Sequence, residues 1–209
     1  MLLATITPKG ITQFILNLCN EINPQSKPIY IPVRPTKGAQ VNECFGNVKA
    51  KVKRDNGFLQ YGWGIWEWKN VLIEAEFHAV WKSPEGKLIC VTPNPYKESK
   101  MLFLSDDTME YDGVHRVDNI RKSLRIEPVV DELIKIKKCA FTEFEKLTLG
   151  QFGNIKSFTP STKLVELSKS EIVIRQEVDN LPDLPNRHSP CLCVAAECAI
   201  KIVAVKFII

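Results

Sequence analysis

The sequence predicts an α+β fold: an antiparallel sheet of about four or five strands, a helix headed by a cysteine packed on it, and a helical extension. Three observations carry this. Val71, Ile73, Ala75, Phe77, Ala79 and Trp81 alternate with period two, which is strand patterning. The stretch GAQVNECFGNVKAKVKRDNG reads as a helix stopped by Asn56-Gly57, residues that tolerate the left-handed conformation. Val130, Leu133, Ile134, Phe141, Phe144 and Leu147 lie on one helical side between Glu127 and Leu147.

The elements follow in order. Thr12 to Ile22 forms a short amphipathic helix with Ile11, Phe14, Ile15, Leu18 and Cys19 on one stripe, stopped by Asn23-Pro24. PIYIPVRP is extended and suits an edge strand. The cysteine helix is expected from about Val41 to Asp55. Phe58 to Trp68 is an aromatic-rich strand in which Gly62 and Gly64 mark a bend or a close backbone approach. Lys69-Asn70 turns the chain into a strand from Val71 to Lys82. Ser83-Pro84-Glu85-Gly86 makes a hairpin turn into a return strand from Leu88 to Val91. Beyond Pro93, MLFLSDDT reads as a short strand and EYDGVHRVDNIRKSLR as a polar loop or exposed hairpin. EIVIRQEV is expected to be a strand, and Pro182, Pro185 and Pro190 a linker. The chain divides into an α+β core (1–125), a helical extension (126–181) and a proline linker with a Cys-rich tail (182–209).

At 209 residues, 44% hydrophobic and 25% charged, the chain can bury a sizeable core. Its net charge of +4 is dispersed, so it permits an acidic partner without demanding one. Seven cysteines follow a start, MLLATITPKG, that makes a poor signal peptide, which points to free thiols in a reducing cytoplasm. The apolar end, AIKIVAVKFII, is too short to span a bilayer.

Chemistry concentrates between Gln40 and Asn94. Cys44 falls near the first turn of its helix, where N–H groups and the helix dipole favour an anion. His78 is a base candidate. If the turn is type I with a glycine bulge, Ser83 pairs with Lys87, and counting back sets His78 opposite Thr92 and Val80 opposite Cys90. Cys90 and Thr92 then share the His78 face. Gln40 is placed for its amide to join the Cys44 N–H as an oxyanion donor. Cys44 is therefore expected to be the most acidic thiol, with Cys19 and Cys139 inert on apolar stripes. Glu74 and Glu76 share the histidine's face, as the solvated half of the sheet or as stand-ins for a carboxylate.

A cysteine at a helix start, a bent strand, H-A-x-W and a return strand ending in x-V-x-P together resemble the transglutaminase-like core of the papain-like thiol enzymes. The resemblance covers about fifty-five residues. It implies Cys44 as nucleophile, His78 as base, and Thr92 in the place of the aspartate that orients the base. Threonine cannot stabilise an imidazolium as a carboxylate does. In the tail, His188, Cys191, Cys193 and Cys198 are ligand types of a zinc site. PCLC is similar to the opening of the zinc-binding SEC-C motif, but no Gly-Ser-Gly turn or closing cysteine pair follows, so the end is either a degraded copy or a chance likeness. The combination resembles bacterial proteins of the SEC-C zinc-chelation group, which implies zinc in the tail. The leading expectation is a thiol-dependent amide-bond enzyme (hydrolase, deamidase or transferase) acting on protein or peptide amides. The alternative is a non-catalytic protein- or RNA-binding module with a zinc-type tail. Neither involves a membrane.

Overall fold

The computed structural model describes residues 5–94, 96–148 and 160–182. Helix α1 (Gln13–Ile22) starts at Thr12, whose side chain accepts the Ile15 N–H at 3.4 Å. Strand β1 (Ile29–Pro32) leads to α2 (Cys44–Asp55), which ends at Asn56 and Gly57, both with positive φ. Strands β2 (Phe58–Trp68) and β3 (Leu72–Lys82) form a long hairpin, followed by the short β4 (Leu88–Ile89), β5 (Lys100–Ser105) and β6 (Ile120–Ser123). Helices α3 (Pro128–Thr148) and α4 (Thr162–Asp179) pack on each other. The fold is α+β with a helical extension, as the sequence predicts.

Residues 162–179 correct one expectation. EIVIRQEV is helical because Leu164, Ile174 and Val178 recur at helical spacing and are buried, and Ser161 Oγ caps the first turn by accepting the Leu164 N–H at 3.1 Å. Ile174 and Val178 join Val130 and Leu133 against Trp68, Val71 and Leu72 at one end of the sheet. Tertiary packing outweighs the β-branched run.

The six-stranded sheet runs β1-β5-β2-β3-β4, all neighbours antiparallel, with β6 on the first half of β3. Beyond Ile89 the chain leaves β3 and makes a parallel bridge, Cys90 to Val33, so the sheet curls nearly closed. The Cys90 N–H donates to Pro32 O (3.0 Å) and the Arg34 N–H to Cys90 O (2.8 Å). Ile31, Val80, Cys90, Met101 and Phe103 fill the inside of the curl. α1 covers the opposite face through Ile15, Leu18 and Cys19, against Trp63, Ile65, Ile73, Phe77 and Leu104. Gly62 lets this curvature form: a Cβ there would meet the Leu104 carbonyl and the Phe103 ring.

The curl has one functional consequence. The outer edge of β3 pairs with β6 from Leu72 to Ala75 and with β4 at Trp81 and Lys82, leaving Glu76 to Val80 without a strand partner. Backbone groups on that stretch need other partners. The first turn of α2 arrives there.

Candidate functional site

The hairpin turn closes as the sequence predicts. The Ser83 N–H donates to Lys87 O at 2.8 Å, the Gly86 N–H to Ser83 O at 2.8 Å, and Gly86 has φ +83°. Trp81 pairs with Ile89 and Lys82 with Leu88, so the register leads back to Val80 opposite Cys90 and His78 opposite Thr92. The ladder itself stops at Ile89, because Cys90 has turned to β1.

Cys44 opens α2, with Glu43 as N-cap, and is buried with Val48, Ala79 and Val91. Burial pushes its thiol up to about 12. The backbone N–H groups of Ala79, on the open edge of β3, and of Phe45 pull the other way, while the nearby Glu76 and Cys90 add to the rise. The expectation that Cys44 is the most acidic thiol is thereby corrected: desolvation exceeds the stabilisation that two N–H groups supply. Cys19, also pushed up to about 12 by burial, follows its expectation, whereas Cys139 is exposed instead of inert on a stripe.

His78 is 7% exposed and inside the curl, and burial lowers its pKa to about 4, so it is a neutral imidazole at neutral pH. Its Nε2 lies 3.4 Å from Cys90 Sγ, and no hydrogen bond joins it to Cys44. The Cys90 thiol donates to the Thr92 carbonyl at 3.7 Å. The Thr92 hydroxyl accepts from Asn47 Nδ2 at 3.2 Å. Asn47 also clamps Gln40, accepting its N–H at 2.9 Å and donating to its carbonyl at 2.7 Å. The Gln40 side-chain amide donates to Gly38 O at 3.2 Å and lies outside the pocket lining, where Asn42 stands instead.

Cys44, His78, Cys90, Thr92 and Glu76 line one small pocket of about 70 Å³. Cys44, Asn42 and Glu76 also border a wider groove of about 410 Å³, walled by Phe45, Phe77, Tyr111 and Phe141 with Lys49 and Arg116. Cys44 thus stands where an open groove meets a small recess that holds His78, Cys90 and Thr92. Glu76 accepts from Trp66 Nε1 at 2.7 Å, and burial, opposed by that bond and aided by Glu74, raises its pKa. The solvated reading of Glu74 does not hold. It is 8% exposed and bonded by Arg121 Nε (3.1 Å), Asn119 Nδ2 (3.3 Å) and Thr5 Oγ1 (3.0 Å). Among the tryptophans, Trp63 and Trp68 are core, while Trp66 reaches the pocket.

The zinc expectation is corrected. No group of three or more His, Cys, Asp or Glu is placed to hold a metal ion among the described residues, and His188, Cys191, Cys193 and Cys198 lie outside them. Closed zinc sites need four converging ligands, and no such convergence supports the assignment. No helix among the described residues is long and apolar enough to cross a membrane. No family model, curated protein or solved structure matches the chain.

Proposed function

We propose that the protein is a thiol-dependent amide-bond enzyme acting on peptide or protein amides, with Cys44 as nucleophile and His78 as base. The observation behind this reading is convergence: Cys44 from α2, His78 from β3 and Thr92 from beyond β4 line one recess at the end of an aromatic groove. The groove holds an extended substrate segment against Phe45, Tyr111 and Phe141, and its amide carbonyl meets Cys44.

With the thiol protonated and the imidazole neutral at rest, deprotonation accompanies attack. The Cys44 proton passes to His78 as the sulfur bonds the carbonyl carbon. His78 returns that proton to the leaving nitrogen as the C–N bond breaks, leaving a thioester on Cys44. Water then resolves the thioester to an acid, or an amine resolves it to a new amide. The Cys44 N–H at the start of α2 supplies the oxyanion donor that the Gln40 side chain does not.

The test is turnover of a mixed set of glutamine-, asparagine- and backbone-amide peptides, followed by mass. Ammonia release, chain cleavage or amine exchange separates deamidase, hydrolase and transferase. Turnover that survives Cys44→Ser, or a folded protein with no turnover on any amide, overturns the reading and favours the binding-module alternative.

A further inference from the structure

We infer that Cys90 is the residue that positions His78: its thiol donates to the Thr92 carbonyl, its sulfur accepts the His78 Nε2–H, and Nδ1 is left as the nitrogen that takes a proton. This deepens the role proposed for Cys44 and rests on that reading for what Nδ1 does.

The arrangement follows from the path of the chain. Register sets Thr92, not Cys90, directly across from His78, but the strand leaves β3 after Ile89 and bridges to Val33. Cys90 is carried inside the curl with its sulfur 3.4 Å from Nε2. Thr92 is carried beyond it, and its hydroxyl is taken by Asn47. A carbonyl oxygen only accepts, so the one thiol proton serves the 3.7 Å contact to Thr92 O, and the sulfur meets Nε2 as an acceptor. The bond at one ring nitrogen fixes which nitrogen carries the proton. No described group hydrogen-bonds Nδ1. Burial pushes the Cys90 thiol up to about 11, so it keeps its proton at neutral pH and serves as a neutral strut.

A thiol in this place has a chemical consequence. A carboxylate would hold the ring and also stabilise its cation, whereas a thiol holds the ring alone. His78 therefore serves as a base that is charged only while the proton is in transit.

The experiment is a long-range proton–nitrogen NMR correlation on nitrogen-15 histidine-labelled protein at neutral pH. His78→Gln assigns its signals among the three histidines of the chain. Wild-type His78 should be a single Nε2–H tautomer, Cys90→Ser should keep it, and Cys90→Ala should give a mixture of tautomers. An Nδ1–H tautomer in the wild type overturns the inference without need of a folded variant, and so does an unchanged tautomer in folded Cys90→Ala. Cys44→Ser should leave the tautomer as it is. A correct tautomer beside absent turnover therefore overturns the enzyme reading and leaves the positioning intact.

Discussion

The two faces of β3 are alternate residues of one strand, yet they are built on different principles. The odd face, Ile73, Ala75 and Phe77, packs against α1 through Trp63, Ile65 and Leu104. The even face buries Glu74 and His78 and half-buries Glu76 inside the curl. A dry face needs only shape, but each polar group on the other needs a named partner: Arg121 for Glu74, Trp66 for Glu76, Cys90 for His78. The polar row costs stability that the odd face must offset, and that row borders the recess with Cys44.

The contrast can be broken first on the odd face. Phe77 stacks on Tyr61 at 5.9 Å and tilts against Trp63 at 5.4 Å and Phe45 at 5.6 Å between ring centroids. Phe77→Ala should lower unfolding free energy by about 3–5 kcal/mol, and by the same amount at pH 5 and pH 7. Urea unfolding at both values checks it.

On the even face, Arg121→Ala should cost about 3 kcal/mol, because it strands a buried Glu74 carboxylate. Glu74→Leu combined with Arg121→Met should recover most of that loss, an outcome with no counterpart at Phe77. If the double variant is no more stable than Arg121→Ala, the pair is not what holds this part of the row.

His78 gives the even face a pH dependence. Its folded pKa of about 4 is below the unfolded value near 6.5, so between those values the unfolded chain binds more protons. The contribution of the neutral ring is full above about pH 6.5 and is lost as pH falls towards 4, a total of about 3 kcal/mol. Folded His78→Gln should lack that slope, which stability measured in steps across the window will show.

The smallest effect concerns the turn that sets the register. Gly86 has φ +83° with open space where a Cβ would sit, so Gly86→Ala should cost only about 1 kcal/mol through backbone strain. A loss several times larger would mean that the register depends on more than the turn.

Much of this was readable in the sequence where local chemistry decides. The aromatic run gave β2 its bounds, Asn56-Gly57 ended α2, and the Ser83–Gly86 turn fixed which residues face His78. What was not readable depends on the path of distant chain. Ile172, Val173 and Ile174 look like a strand until α3 is there to receive a helix. Glu74 looks solvated until Arg121, from a polar stretch without clear periodicity, pairs as part of β6. The acidity expected for Cys44 failed for the same reason: its helix position is legible, whereas the depth of its burial comes from Val48, Ala79 and Val91 closing around it. Cys90 was visible as a neighbour of the histidine face, but its preference over Thr92 depends on the bridge to Val33.

The most direct test of the central claim is covalent labelling by a peptidyl vinyl sulfone, an electrophile that must lie in the groove to meet a deprotonating thiol, with adducts mapped residue by residue. Iodoacetamide, which needs no groove, should modify exposed Cys139 well before Cys44 or Cys19 at neutral pH. The peptidyl reagent should reverse that order and modify Cys44 first, and folded His78→Ala should lose the Cys44 adduct while Cys139 reacts as before. Labelling of Cys44 that is no faster than that of Cys19, or that persists unchanged in His78→Ala, would contradict a catalytic Cys44–His78 pair.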